Sequence, residues 1–396
     1  MKSFISIDLC PELNTTQTKY DSSALAPTLI ARTPSTPCYH RLVDTLPWLL
    51  ESDPAIRWQV LRDLADASPG TIAAERARIP HQGLGAAILA AQQPDAAWRC
   101  PDRPAWLSTL FTLLLLRSTG IDPADPVVQS ALRRAEANLR WNDEPGCWDL
   151  RPADFRFAPA DGQLPPPHGC KPGGNPFYDG EEEPCINGGV LAFGSCFGHP
   201  SGTLAARLLS EQLPEGGWNC EAPGSRRASF HTTICVLEGL LEYERADANQ
   251  RTAANQQASA DLASQAAAAR LRAHQYLLER SLFRRRSTGE IANPEFLQLA
   301  FPPRYHYDVL RALDYFRAAG VAPDPRMNEA IHYIESRRQP SGCCQPVGCW
   351  LLDRAYDEAI PVRLGESVGE PSRWNTLRAL RVLRWFHGGH IGVPHL

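Results

Sequence analysis

Between His40 and Phe386 the apolar residues recur at three- and four-residue spacings, and nowhere do they alternate for long enough to suggest a sheet. Ile56, Val60 and Leu64 fall every four residues with Trp58 and Leu61 beside them, which places an apolar stripe on one helix face. Asp53-Pro54 supplies the start: a capping carboxylate, then the proline that the first helical position tolerates. A second helix is expected over 71–92. Trp106 to Ser118 is almost wholly apolar and predicts a buried helix, with Pro104 in its first turn. Further helices are expected over 127–140, 190–197, 204–212, 232–243, 266–283, 309–319, 327–337 and 377–386. Residues 244–270 are rich in Ala, Gln and Asn, with helix propensity but little apolar content; they predict an insertion that lengthens a helix or projects from it. The pattern describes an all-α protein.

Five helix starts align: Trp106-Leu-Ser-Thr-Leu110, Ile186-Asn-Gly-Gly-Val190, Phe230-His-Thr-Thr-Ile234, Tyr305-His-Tyr-Asp-Val309 and Arg373-Trp-Asn-Thr-Leu377. Their offsets of 80, 44, 75 and 68 residues describe a repeated unit interrupted by insertions of different length. Helices arranged around an axis would turn equivalent positions toward a common centre, here Leu107, Asn187, His231, His306 and Trp374. Three irregular segments, 144–184, 284–304 and 342–372, immediately precede aligned starts. On such a scaffold they emerge at one rim, either covering a cavity mouth or decorating the surface.

Degenerate Gly–Trp elements accompany the repeats: Gln92-x3-Ala96-x-Trp98, Asn142-x3-Gly146-x-Trp148, Gln212-x3-Gly216-x-Trp218 and the shorter Gln339-x2-Gly342-x-Cys344. The amide can tie down the preceding helix end, Gly permits a tight turn, and Trp supplies packing surface, so the elements read as structural staples. Gln212-Leu-Pro-Glu-Gly-Gly-Trp218 resembles the QW motif of the squalene–hopene and oxidosqualene cyclases and their prenyltransferase relatives. With Trp218-Asn-Cys-Glu221 and Ser229-Phe-His-Thr-Thr-Ile-Cys-Val-Leu-Glu238, it makes roughly residues 90–390 similar to the bacterial squalene-cyclase-like or prenyltransferase-like proteins.

That resemblance implies an (α/α) toroid of terpenoid cyclase/prenyltransferase type over 91–396. A helical N-terminal flank would occupy 40–90, and a polar arm 1–39. It also implies a central cavity for an apolar, isoprenoid-like small molecule or lipid. The family's Asp-x-Asp-Asp acid motif occurs nowhere in the chain, which argues against standard squalene–hopene cyclisation. A prenyl-transfer variant would need a metal or a diphosphate clamp, for which Arg304, Arg311 and Arg373 are the cations at the aligned starts.

The densest polar and aromatic group is Tyr305-His306-Tyr307-Asp308. His306 and its equivalent His231 are candidates for proton exchange near neutral pH, and Tyr305 and Asp308 complete the candidate catalytic set. Trp374, Tyr307, Phe230 and Trp106 are candidate substrate-binding rings, able to face a cation or an apolar chain. The plainer roles are a capping or ion-paired Asp308 and a hydrogen-bonded His306. A zinc site built from Cys220, His231 and a third ligand would imitate the protein prenyltransferases, but that family's Asp-x-Cys spacing is missing and no compact Cys-x2-Cys pair supports it. No cofactor follows from the sequence.

Composition narrows the partners. Lys and Arg total 40 against 44 Asp and Glu, and the densest basic run is Arg284-Arg285-Arg286, so no nucleic-acid partner is expected. Twelve cysteines are too sparse for a disulfide scaffold, and with no apolar leader at Met1-Lys2-Ser3-Phe4 the expected location is cytoplasmic, with free thiols. The longest apolar run, Leu110–Leu116, is far too short to span a membrane, although peripheral contact stays open. Two other functions remain: a non-catalytic lipid- or protein-binding toroid, and a carbohydrate-active enzyme using carboxylates such as Asp149, Asp308 and Glu370.

Overall fold

The computed structural model describes residues 45–101, 103, 105–141, 175–250, 256–340 and 347–388, with backbone alone at 247–250 and 256–259. The described chain is mostly helical, with four two-residue strands. Asp53 caps α2 (Pro54–Asp63), accepting from Ala55 N at 2.8 Å. Its second oxygen accepts from Leu84 N at 2.7 Å, so one carboxylate starts α2 and fixes the start of α4 (Gly83–Ala90). Residues 71–92, expected as one helix, form two, because a turn separates α3 (Pro69–Arg76) from α4. A short α1 (Thr45–Leu50) precedes them.

The apolar run becomes α5 (Ala105–Thr119), buried along most of its length, and α6 (Pro126–Asn138) follows. Next come α7 (Pro184–Cys196), α8 (Gly202–Ser210), α9 (Phe230–Gln250) and α10 (Gln256–Leu278). The Ala/Gln/Asn-rich segment thus lengthens the two helices that flank it, α9 and α10. The last helices are α11 (Val309–Ala318), α12 (Asn328–Ser336) and α13 (Arg373–Phe386). The strands only tie loops together: β1 (Arg140–Trp141) pairs with β2 (Asn175–Pro176), and β3 (Trp350–Leu351) with β4 (Pro371–Ser372), both antiparallel.

Packing follows the aligned helices. α5 packs on α7, α7 on α9, α11 on α13 and α13 on α2. Arg311 joins α11 to α9 through Glu238, and Trp58 joins α2 to α5 through Thr119 O at 2.7 Å. Four further helices back these: α4 lies on α5, α8 on α7, α10 on α9 and α12 on α11. Two glycines set the closest approach. A Cβ on Gly188 would stand 2.6 Å from the Cys235 carbonyl carbon, and one on Gly239 would stand 2.5 Å from Gly188 O. Gly188 of the second aligned string is therefore a packing requirement of α7 on α9, whereas a Cβ on its neighbour Gly189 would meet the Leu114 side chain of α5 at 3.3 Å.

The tryptophan staples have a common geometry. Trp98, Trp218 and Trp350 are fully buried. Each donates its backbone N–H to the fourth residue of an aligned string: Thr109 at 3.1 Å, Thr233 at 3.1 Å and Thr376 at 3.0 Å. Each indole N–H reaches back to the preceding helix, at Ile88 O (2.7 Å), Leu208 O (2.6 Å) and Ile334 O (2.7 Å). One ring thus clamps α4 to α5, α8 to α9 and α12 to α13, which makes the three strings equivalent in space as well as in sequence.

The expected fourth element was in the wrong register. The turn that Leu213 and Gly217 close is closed here by Gln339 and Cys349, with Gly348 in the place of Gly216 and Trp350 in that of Trp218. Both glycines have positive φ, +81° and +96°. Arg338 takes the glutamine's part, donating to Gly348 O at 3.3 Å as Gln212 does to Gly216 O at 2.6 Å. The chain between turn start and glycine is longer here, so a fixed-spacing search cannot find Trp350. The Asn142–Trp148 element, Asp149, the 1–39 arm and the pair Cys343-Cys344 lie outside the described residues, as do 144–174 of the first expected rim segment.

Candidate functional site

A cavity of about 250 Å³ lies where α2, α5, α7, α9, α11 and α13 meet the loop 301–304. Phe111, Leu114, Leu241, Phe301 and Trp374 form its apolar wall, with Trp374 stacked on Phe301 at 4.3 Å between ring centres. Seven arginines and the three carboxylates Glu238, Glu242 and Asp314 share the lining with uncharged residues such as Leu115, Pro302, Pro303 and Tyr315. A second space of about 20 Å³ adjoins it, sharing Phe111, Leu114, Glu238, Arg304 and Arg311 and adding Tyr305, Cys185 and Cys235.

Two of the lining carboxylates, Glu238 and Asp314, are held as anions. Arg311 grips Glu238 with two hydrogen bonds, 2.8 and 3.1 Å, and Arg117 approaches to 3.7 Å. Burial pulls the Glu238 pKa up, but Arg311 and Arg117 outweigh it and hold the carboxyl below its ordinary range. Asp314 is buried among Arg381, Arg317 and Arg378, at 2.7, 2.9 and 3.8 Å for the pairs Arg381 Nε–Oδ1, Arg317 Nε–Oδ1 and Arg378 Nε–Oδ2. Burial again raises its pKa, and Arg381 and Arg317 reverse the shift. Glu242 receives Arg117 at 2.9 Å and Arg245 at 3.2 Å.

Arg304 is the exception among the cations. It sits in the left-handed region at φ +50°, a conformation that costs a non-glycine residue about 1–2 kcal/mol. Its guanidinium lies 4.2 Å over Phe111 and reaches the half-exposed Glu358 at 2.5 Å, yet Nε is buried without a partner. Burial lowers its pKa, partly offset by Glu358. Arg117 Nε is also buried without a partner. Arg373, the third cation expected at a clamp, stacks instead over Trp48 at 4.8 Å and lines neither cavity.

Of the sequence-derived site residues, Trp374 lines the larger cavity and Tyr305 the smaller; His231, His306, Asp308, Tyr307, Phe230 and Trp106 line neither. Tyr305–Tyr307 are not helical: α11 begins at Val309 with Asp308 as its cap, accepting from Arg311 N at 2.7 Å. The other four aligned strings lie in the first turns of their helices, so helical spacing does not govern this one. Asp308 Oδ1 is 4.0 Å from Arg378, and Oδ2 has no partner. Tyr307 donates to Leu282 O and packs with Phe230 and Phe296 in an aromatic cluster. Trp106 packs against Trp141, 6.0 Å between centres.

The two histidines do meet, with ring centres 5.8 Å apart. His231 Nδ1 accepts from Tyr307 N at 2.9 Å, which leaves the proton on Nε2. His306 stacks on Tyr356 at 3.6 Å, a partner from the third irregular segment. Burial, then Arg311, lowers His231 to about 4. Burial, then His231 and Arg304, lowers His306 to about 2. Their folded pKa values lie below the unfolded value of about 6.5, so the stability they contribute is complete above that pH and is lost as pH falls toward 4 for His231 and toward 2 for His306. NMR of the imidazole C–H signals should show no titration of either ring between pH 8 and 6. A midpoint near 6.5 for either one contradicts this.

Arg117, Glu238, Asp314 and Arg381 escaped the sequence reading, although a signal existed for Arg117. Arg117 follows the apolar run Leu110–Leu116 on a helix face where a charge needs a partner, whereas Glu238, Asp314 and Arg381 stand three or four residues from further charges on their own helices. No family model matches the chain, and neither a curated protein nor a solved structure does.

Proposed function

We propose that the protein is an (α/α) toroid of the terpenoid cyclase/prenyltransferase type whose cavity takes an isoprenoid-class ligand bearing an anionic group. The toroid is supported by the succession of packed helices and by three equivalent tryptophan clamps between successive helices. The ligand class rests on one observation, a cavity lined both by apolar residues such as Phe111 and Trp374 and by arginines of which Arg304 Nε and Arg117 Nε lack partners. A neutral polyene would leave those donors unsatisfied, whereas a phosphate or diphosphate supplies acceptors with complementary charge. The volume of about 250 Å³ lies just below the usual range for small-molecule sites, about 300–1,000 Å³, and favours a short chain.

Cyclisation started by protonation fits this lining poorly. Glu238, Glu242 and Asp314 are each ion-paired to arginine, and none is poised to donate a proton. The same pairing weighs against a glycosidase, which needs one carboxyl kept neutral. Binding without chemistry is the second reading, and the ion-paired carboxylates favour it.

Calorimetric titration with geranyl diphosphate, inorganic diphosphate and squalene separates the cases. Geranyl diphosphate should bind tightest, and Arg304→Ala should weaken it by about 10- to 100-fold, the worth of one or two hydrogen bonds to a charged group. Squalene binding as tightly as the diphosphate ester, or an Arg304→Ala chain with unchanged affinity, would overturn the proposal.

A further inference from the structure

Glu183, Cys185 and Cys220 belong to neither the larger cavity's lining nor the histidine pair, yet each brings one metal-ligating atom into a group whose members all lie within 4.8 Å of one another. We propose that these three residues bind a zinc ion and leave its fourth position open. The inference stands apart from the ligand reading above, because it rests on the donor set alone.

One pair of the three already has the spacing of a tetrahedral zinc site, and the third atom lies within 4.8 Å of both. Zn–S and Zn–O bonds of about 2.3 and 2.1 Å at the tetrahedral angle place the two ligand atoms about 3.6 Å apart. Cys185 Sγ lies 3.6 Å from Glu183 Oε2. Local structure fixes both: Pro184 opens α7, so Glu183 is its cap residue and Cys185 lies in its first turn, where the helix dipole favours a thiolate. Cys220 is set by the Trp218 clamp. Its N–H and its sulfur both meet Thr232 Oγ1, at 3.4 Å each, and Asn219 beside it is held by Arg227 O at 2.8 Å. The three donors therefore sit on ordered elements, with Thr232 available to orient one thiolate from outside the ligand shell.

The surroundings suit a cation. Glu182 and Glu221 add negative potential around the group. Two sulfurs with one carboxylate match zinc better than the oxygen-seeking calcium or magnesium. Three protein ligands leave one position for water or an exogenous ligand, and Cys185 also lines the smaller space beside Tyr305, Arg304 and Arg311. An anionic ligand entering there could meet metal and arginine together.

The test is titration of the full chain, reduced and metal-free, with cobalt(II) as a spectroscopic probe and then with zinc. A single equivalent of cobalt should give intense visible bands of tetrahedral coordination and a near-ultraviolet thiolate-to-cobalt band, and zinc should abolish both. Cys185→Ser/Cys220→Ser should lose the thiolate band, whereas Cys343→Ser/Cys344→Ser should keep it. Retention of the band in the first variant overturns the site, as does absence of any thiolate band in the wild-type chain. The wild-type titration decides the second point even if a variant misfolds. A Cys185–Cys220 disulfide found by mass spectrometry in chain isolated without air also overturns it.

Discussion

Replacing Trp218 with alanine is expected to destabilise the protein by about 3–5 kcal/mol, the range for truncating a buried large aromatic. Several losses combine at this one position. The ring is fully buried, and its N–H is the clamp on Leu208 O at 2.6 Å. The turn that presents it is tied to α10 by Gln212, whose amide donates to Ala269 O at 2.8 Å. Truncation therefore opens a cavity between α8 and α9 and leaves a carbonyl without its donor. Trp106, half-buried against Trp141, is the control and should cost much less on truncation. Urea unfolding of the two variants checks the difference. A Trp218→Ala chain within 1 kcal/mol of wild type, a threshold set by the ~1 kcal/mol centre of ordinary point mutations, would show that the element is not a staple.

Arg311→Met should cost up to about 3–5 kcal/mol, for a different reason: it leaves the part-buried Glu238 without its bidentate partner. Arg117 at 3.7 Å reduces the loss but cannot replace two hydrogen bonds. The pH dependence carries the diagnosis. In the wild-type chain Glu238 is held below its ordinary pKa, so its contribution is present above the unfolded value near 4.3 and is lost only as pH falls through the lower folded value. Without Arg311, burial raises that pKa, and protonation relieves the variant. The gap between the two chains should narrow as pH falls from 7 toward 4. Adding Glu238→Gln should recover part of the stability at pH 7. A gap independent of pH would mean that Arg311 acts by packing alone.

The helices and two of the staples were legible because their physics is local. A stripe such as Ile56, Val60 and Leu64, or a cap such as Asp53-Pro54, needs no distant partner to be recognised. Trp98 and Trp218 follow their glutamines at one spacing, whereas Trp350 stands beyond a longer turn with Arg338 in the glutamine's place. The candidate site was harder, since its chemistry is made by pairs far apart in the chain. Glu238 with Arg311, Asp314 with Arg381, and Cys185 with Cys220 are each unremarkable alone. The Tyr305–Asp308 string misled in one respect: Asp308 does cap α11, and that is why the residues before it form a turn instead of a helical face.

The central proposal is that the cavity among the aligned helices takes an anionic isoprenoid, and a crystal structure with geranyl diphosphate tests it most directly. The account predicts the hydrocarbon chain against Phe111, Leu114 and Trp374, the diphosphate within hydrogen-bond distance of Arg304 Nε, and α2, α5, α7, α9, α11 and α13 closed around both. Ligand bound elsewhere on the protein, or lying with its diphosphate away from the arginines, would contradict it.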